Sequence, residues 1–366
     1  MNKYKNPFRP AFGSIPLALA GREQIVNDIL VGLDNAPGDP NRATIFVGGR
    51  GTGKTVLLAK IAELAEERGW VGVNVTSGPN ILDDIIIETV RKAGHLISPK
   101  TRKQIAGFSV AGDSVDFENK DEKTNWRREM TDVLEELNAN GTGLLITVDE
   151  VSVEDEGLKI LIDNFQHFVR ERRDVAVLLA GLPGNVSQML TDRKISFLRR
   201  AFKREMESIS TTEVAYAMKQ TISLGGRTIG DEALWAAAEK TEGFAFLIQL
   251  LGYHMWRQSP DEEEISLSDV GSALSFAMKD MREMMFEVTM NELTDREKMF
   301  VSAMSVDDGV SEIIEVSDRM GISPNNAVKI RKRLIERGVI SSAGRGRVKL
   351  EMPMMLEYLR SAETGK

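Results

Sequence analysis

The chain has 366 residues and a formal net charge of −8, with 42% hydrophobic and 28% charged residues. This length predicts two or three domains, the composition is typical of a globular protein, and the negative charge argues against general polyanion binding. No apolar run approaches the ~20 residues of a membrane span, the start lacks an apolar signal region, and cysteine is absent, so we expect a cytoplasmic protein without disulfides. Residues 1–42 are predicted to be an extended lead-in followed by a helix from Arg22 to Asp34.

Residues 43–210 show the alternation of strands and helices that is typical of an α/β domain. Four apolar strands are predicted, in "ATIFVGG", "WVGVNV", "GLLITVDE" and "DVAVLLAGLP", with helical segments between them. Strands without polar alternation are typical of a parallel sheet covered on both faces, and the alternation predicts right-handed βαβ units. The segment "IAGFSVAGDSVDFEN" is interpreted as a small inserted hairpin.

The periodicity changes after residue 210. Residues 211–289 contain four helix-period segments with glycine or Ser-Pro breaks, which predict a compact helical domain. Residues 290–366 form a further predicted domain, which is described below.

The loop after the first strand has the pattern of a phosphate-binding loop. Gly48, Gly49, Arg50, Gly51, Thr52, Gly53, Lys54 and Thr55 match G-x-x-x-x-G-K-[ST] at every fixed position, and Val56 continues into a helix. Glycines allow successive N–H groups to turn toward phosphate oxygens, and the helix N-terminus favours negative charge. Lys54 would reach the β- and γ-phosphates, and the Thr55 hydroxyl would bind Mg²⁺. The pattern therefore predicts ATP and Mg²⁺ as cofactors.

A second element of the predicted site is the strand "LLITVDE", which ends in Asp149 and Glu150. Asp149 is expected to belong to the Mg²⁺ site together with Thr55. Glu150 is placed to orient or deprotonate an attacking water. The pair predicts hydrolysis of the bound nucleotide, in addition to binding.

These motifs resemble those of the AAA+ ATPases, and within them the bacterial and archaeal origin-recognition-like group. The resemblance is carried by "LALAGREQIV", "VGGRGTGKT", "LLITVDE", "LLAGLPG" and "EGFAFLIQLLGYHMW", and it spans nearly the whole chain. It implies a P-loop NTPase core with a parallel sheet, a helical lid domain and a C-terminal winged helix-turn-helix domain. It also implies that Gly21 and Arg22 lie near the adenine.

The resemblance implies further catalytic groups, and the sequence departs from the family at two of them. The tip of the last apolar strand offers Asn185 as its nearest polar side chain where a γ-phosphate sensor is expected, and the lid has Phe244, Ala245 and Phe246 where an arginine is usual. An arginine finger from a neighbouring subunit is expected in "FLRRAFKRE", interpreted as helical. Its candidates are Arg199, Arg200 and Arg204, and we assign Arg200 a catalytic role. The missing lid arginine favours slow hydrolysis.

The last domain has the element order of a winged helix-turn-helix. Thr294 and Glu297 form a predicted capping box, Ser323 with Pro324 begins a third helix, and "VISSAGRGRVKLEM" reads as two strands joined by a glycine turn. The third helix would enter the major groove of duplex DNA, and the ribbon would touch its backbone. The predicted DNA contacts are Lys329, Arg331, Lys332, Arg333, Arg345 and Arg347.

Three functions remain open at this point. The first is an ATPase that couples its nucleotide state to duplex DNA binding, alone or as a homo-oligomer. The second is a nucleotide-gated signalling switch, similar to the signal-transduction ATPases, whose winged helix binds a protein. The third is an ATP-binding scaffold without hydrolysis.

Overall fold

The computed structural model describes residues 4–11, 13–103, 105 and 119–363. The predicted hairpin lies almost entirely outside these residues. The chain divides into two compact units. The core unit comprises Gln24–Val47 and Lys54–Glu205, and the C-terminal unit comprises Met1–Glu23, Gly48–Gly53 and Met206–Lys366. The division into four domains at residues 42, 210 and 289 stays a prediction.

The core unit contains a five-stranded parallel sheet with the order β2-β3-β4-β1-β5. Its strands are β1 (Ala43–Val47), β2 (Val71–Thr76), β3 (Leu144–Asp149), β4 (Val175–Gly181) and β5 (Phe202–Glu205). All seven residues of β4 are buried, as are the first five of β3, which accounts for their continuous apolar sequences. The predicted parallel α/β core is confirmed.

In the described part of the chain, six helices accompany this sheet, besides a helical segment at residues 99–103. They are α1 (Glu23–Asp34), α2 (Lys54–Glu66), α3 (Ile81–Ala93), α4 (Asn119–Ala139), α5 (Glu156–Arg170) and α6 (Pro183–Thr191). In α5 the buried residues Leu158, Leu161, Ile162 and Phe165 recur at the spacing of one helix face. That face packs with the buried sheet residues into one hydrophobic core.

The helical interpretation of "FLRRAFKRE" is wrong. Ser196–Arg200 is a short 3₁₀ helix, so Arg199 and Arg200 lie on a single tight turn. Arg204 lies on β5, whose residues pair with Thr44–Val47 of β1. β5 is an edge strand in which Arg204 is half-buried and the other residues are exposed. Its backbone pairing with β1 therefore determines the conformation of this charged sequence.

The helical part of the C-terminal unit follows the predicted segments. Its helices are α7 (Thr211–Leu224), α8 (Asp231–Lys240), α9 (Ala245–Gln258) and α10 (Leu267–Met281). The two-residue strands β6 (Thr228–Ile229) and β7 (Glu264–Ile265) pair in parallel. α10 continues through a π-helical turn, Arg282–Phe286, into α11 (Glu287–Glu292).

The last part of the unit has four helices and a small antiparallel sheet, and the first three helices with the sheet have the arrangement of a winged helix. The elements are α12 (Asp295–Met304), β8 (Val310–Glu312), α13 (Ile313–Arg319), α14 (Pro324–Glu336), β9 (Ile340–Ser342), β10 (Arg347–Leu350) and α15 (Met355–Glu363). The predicted capping box of Thr294 with Glu297 and the Ser323 N-cap are both present. The predicted fold of this end of the chain is confirmed, whereas β8 and α15 were not predicted.

Candidate functional site

The predicted phosphate loop, Gly48–Gly53, connects β1 to α2. Gly51 and Gly53 have φ angles of +76° and +88°, which a residue with a Cβ adopts only under strain. The Thr52 hydroxyl donates a hydrogen bond to the Gly49 carbonyl at 2.9 Å. A Cβ on Gly48 would lie 2.8 Å from that hydroxyl oxygen. These φ angles and contacts explain why the loop needs glycine at positions 48, 51 and 53. The backbone is tightly turned, as in loops that bind phosphate.

The two predicted Mg²⁺ ligands meet in the core unit. Lys54 and Thr55 are the first residues of α2, and Val56 follows them on that helix. The Thr55 hydroxyl donates a hydrogen bond to the Asp149 Oδ2 carboxylate oxygen at the end of β3. Asp149 Oδ1 accepts the Glu150 backbone N–H at 2.9 Å. A hydroxyl beside a carboxylate is a set of hard oxygen donors, which fits Mg²⁺.

Glu150 is exposed and has φ of +54°, which is uncommon for a residue other than glycine. Its backbone turns sharply after β3, and such turns recur at functional sites. The side chain lines a groove of about 870 Å³ in the core unit, together with residues of the 77–79 and 152–163 segments. Water therefore has free access to the Glu150 carboxylate.

Asp155 organises one wall of this groove, and we did not single it out from the sequence. Its side chain caps α5 by accepting the Leu158 N–H at 3.0 Å. Its other oxygen accepts the Ser77 hydroxyl at 2.7 Å and the Gly78 N–H at 2.8 Å. An aspartate just before an apolar helix is a capping signal that could have been recognised.

The three candidate finger arginines differ in what they contact. The Arg199 Nε donates to the Leu190 carbonyl at 2.7 Å. Arg204 is ion-paired with Asp28 at 3.0 Å and donates to Asn41. The Arg200 side chain is exposed and has no hydrogen bond or ion pair within the described residues. Arg200 is therefore the candidate whose guanidinium is available to another molecule.

The predicted sensor position lies where β4 ends. Gly181 is the last residue of β4, and Pro183 begins α6. Asn185 lies in the first turn of α6 and is partly exposed. The sequence offers Asn185 only as the nearest polar side chain to this position, and no residue is assigned as the γ-phosphate sensor.

Gly21 and Arg22 belong to the C-terminal unit. Arg22 is buried and donates from Nη2 to the Glu207 carbonyl at 2.6 Å, while its Nε has no partner among the described residues. Burial lowers the pKa of the Arg22 guanidinium, against the opposing charge of Glu213. Gly21 has φ of +59°. Their assignment to the adenine stays a prediction.

The first residues of α9 lie against the phosphate loop within the C-terminal unit. The Phe246 N–H donates to the Gly51 carbonyl at 3.1 Å. A Cβ on Gly51 would collide with the Phe244 ring, and a Cβ on Gly53 would lie 3.3 Å from the Ala245 Cβ. This chain therefore places an aromatic ring and a methyl group beside the loop.

The predicted DNA-contact residues lie on α14 and on the β9–β10 ribbon. Ala327, Ile330 and Leu334 form the buried face of α14, and Lys329, Lys332 and Arg333 are exposed. Arg331 donates to the Ser342 hydroxyl at 3.1 Å, and Arg347 is ion-paired with Glu312 at 3.1 Å. Arg345 is exposed at the ribbon turn. The exposed Asn325 and Val328 also lie in the first half of α14, and we did not single them out from the sequence.

A buried carboxylate lies beneath this basic helix. Glu297 is fully buried, and its Oε2 accepts the Thr294 N–H and hydroxyl at 3.0 and 2.8 Å. Its Oε1 lies 3.6 Å from Arg333 Nε and 3.9 Å from Arg337 Nε. Burial raises the pKa of Glu297, but the hydrogen bonds from Thr294 and the charges of Arg337 and Arg333 outweigh it and hold the pKa below its ordinary value.

Comparison with known proteins gives the following relationships. The Walker-type ATPase PABY2304 of Pyrococcus abyssi is similar over 93% of this chain and 96% of its own, with 16% identity and a TM-score of 0.65. The ADP form of the Aeropyrum pernix ORC2 protein is similar over 98% of both chains, with 16% identity and a TM-score of 0.54. A profile described as "Domain of unknown function (DUF8462)" matches residues 283–359. No curated protein sequence matches the chain.

These similarities define the fold class. The chain shares the AAA+ P-loop ATPase fold with these two proteins. The predicted fold is therefore confirmed along nearly the whole chain. In the described part of the chain, no helix is both long and apolar enough to cross a membrane.

Proposed function

We propose that this protein binds ATP with Mg²⁺ and hydrolyses it slowly. The observation that carries this proposal is the hydrogen bond from Thr55 to Asp149. Thr55 follows the P-loop lysine, and Asp149 ends an apolar strand. P-loop enzymes bind their metal with residues at these two positions. The fold shared with a Walker-type ATPase supports the same conclusion.

Each proposed role follows from the position of the residue. The Gly48–Gly53 backbone and Lys54 would bind phosphates, with Val56 extending the site along α2. Thr55 and Asp149 would hold Mg²⁺, which when bound neutralises charge on the β- and γ-phosphates. Glu150, exposed at the groove, would orient and deprotonate the attacking water. Gly21 and Arg22 are proposed to contact the adenine.

Slow hydrolysis is proposed because the arginine that the AAA+ resemblance implies in the lid domain is missing. Phe244, Ala245 and Phe246 lie at the start of α9, and the first turn of this helix contains no arginine. Arg200 is proposed to supply a guanidinium to the site of a neighbouring copy, since its own surroundings do not engage it. Hydrolysis would then depend on assembly of a homo-oligomer.

A phosphate-release assay tests the proposal. We expect Mg²⁺-dependent turnover that is lost in Lys54→Ala and Glu150→Gln. Glu150→Gln should still bind ATP, because it removes only the base. Lys60→Ala is the matched control, since Lys60 lies on the same helix but pairs with Glu63 at 2.9 Å. Equal turnover in all four proteins would reject hydrolysis at this site.

We also propose that the winged helix binds duplex DNA and that nucleotide controls this binding. Support comes from the exposure of Lys329, Lys332 and Arg345 on α14 and the ribbon turn. Binding should weaken linearly in log affinity against log salt concentration, because phosphate contacts release counterions. No binding at low salt, together with a nuclease-resistant protein partner in a pull-down, would favour the signalling switch instead.

A further inference from the structure

The phosphate loop and the winged-helix part of the C-terminal unit are joined by an ion pair. The guanidinium of Arg50, inside the loop, lies 2.7 Å from the Glu292 carboxylate at the end of α11. The same residue, Glu292, accepts a hydrogen bond on its backbone carbonyl from Arg337 at 2.9 Å. Arg337 is the residue that ends α14. One acidic residue thus connects the loop to the predicted DNA-binding helix.

A second contact brings the end of α14 to the loop. A Cβ on Gly49 would lie 3.1 Å from the carbonyl oxygen of Gly338, the residue after the α14 cap. Helix C-termini carry partial negative charge. Glu292 and this carbonyl therefore place negative charge beside a loop whose proposed ligand is also negative.

Phosphates in the loop would compete for Arg50. A nucleotide carries several negative charges, and guanidinium groups bind phosphate oxygens in the same fork geometry as carboxylates. The Arg50 and Glu292 side chains are 48% and 46% exposed, so their ion pair is weak enough to exchange. A bound nucleotide would draw Arg50 away from Glu292 and repel the carboxylate.

A π-helical turn precedes the helix that carries Glu292, and the helix axis could bend at this turn. α10 and α11 are joined by the π-helical turn Arg282–Phe286, and such turns recur at functional sites and bends. Met285 of this turn also approaches the loop, since its Cε would lie 3.2 Å from a Cβ on Gly51. The turn lies between the helical part of the unit and the winged helix.

We propose that the Arg50–Glu292 ion pair is a latch that holds the winged helix against the phosphate loop and opens when nucleotide binds. This inference rests on the proposed nucleotide binding. Opening would shift the winged helix about the π-helical turn and change how α14 is presented to a partner. The latch would couple the proposed nucleotide binding to the proposed DNA binding through residues of the C-terminal unit.

Spin-label distance measurements test the latch without requiring a DNA partner. The chain has no cysteine, so labels can be placed at Tyr216→Cys and Val306→Cys, whose native side chains are 67% and 66% exposed. We expect one narrow distance distribution without nucleotide and a shifted one with ADP or ATPγS. Glu292→Gln should show the shift without nucleotide, and the exchange Arg50→Glu with Glu292→Arg should restore the narrow distribution.

Controls separate failure of the latch from failure of nucleotide binding. Glu315→Gln removes an exposed carboxylate of the winged helix that pairs with Arg319 at 3.1 Å, away from the loop and the π-helical turn, and should behave as the parent. Calorimetric titration of the same labelled proteins reports nucleotide affinity, which Glu292→Gln should increase about two- to fivefold. Nucleotide binding with an unchanged distance distribution would overturn the latch, and absence of nucleotide binding would overturn the proposed function.

Discussion

The hydroxyl of Thr55 donates a hydrogen bond to the carboxylate of Asp149, a residue 94 positions further along the chain. The parallel sheet makes this meeting possible, because β1 leads into the phosphate loop and β3 ends in Asp149. β4 lies between the two strands, and both carboxyl ends lie at the same edge. Ligands of open α/β sheets bind at this edge.

The first prediction concerns Asp149. Asp149→Asn keeps the shape of the side chain but removes the charge that would hold Mg²⁺. We expect the hydrolysis rate to fall by about 10²-fold or more, with a higher Mg²⁺ concentration needed for half-maximal activity. Steady-state phosphate release across a Mg²⁺ titration measures both effects. Asp84→Asn, at an exposed position of α3, is the matched control, and a variant at 149 indistinguishable from it would contradict the assignment.

The second prediction concerns Arg200. Arg200→Ala should reduce hydrolysis by about 10³-fold or more, as loss of an arginine finger does, while ATP affinity stays unchanged. Arg193→Ala, at a nearby exposed position, should keep the parent rate. If the finger acts between subunits, mixing inactive Arg200→Ala with inactive Lys54→Ala should regain activity, because each supplies what the other lacks. Full activity of Arg200→Ala alone would exclude this role.

The third prediction concerns the basic face of α14. Lys329→Ala should weaken duplex DNA binding similarly for all sequences and reduce the slope of log affinity against log salt by about 0.9. Lys279→Ala removes the same charge from α10 and should leave the slope unchanged. Filter binding at several salt concentrations gives the slope. An effect of equal size in both variants would indicate a general charge effect instead of a contact.

The fourth prediction concerns pH. Because the pKa of Glu297 is held below the ordinary 4.5, the ionised form stabilises the folded winged helix above that pH. The stabilisation should decline as the pH falls through the lowered folded-state pKa. Thermal unfolding from neutral to strongly acidic pH should show the parent more stable than Glu297→Gln at neutral pH, with the difference disappearing in acid. A constant difference across that range would refute the argument.

Much of the fold could be predicted because its signals are local. The phosphate-loop pattern predicts which glycines the turn needs, and the apolar run before Asp149 predicts a buried strand. The Thr294–Glu297 capping box indicates the start of α12. Each of these signals needs only a few neighbouring residues. They therefore survive in a sequence with 16% identity to proteins of the same fold.

The elements and contacts that we missed depend on distant partners. β5 forms because Phe202–Glu205 pairs with β1, and nothing within "FKRE" requires a strand. β8 has three residues and exists through its pairing with β10. The ion pair of Arg50 with Glu292 joins positions 242 residues apart, and the packing of Phe244 beside Gly51 is likewise a product of the tertiary fold.

Calorimetric titration of ATP in the presence of Mg²⁺ tests the central claim most directly. The account predicts saturable binding at one site per chain for the parent protein and its loss, in a variant that remains folded, when Lys54 is replaced by alanine. Lys60→Ala should bind as the parent does. Absence of binding by the parent, or equal binding by Lys54→Ala, would contradict the claim that this loop holds a nucleotide.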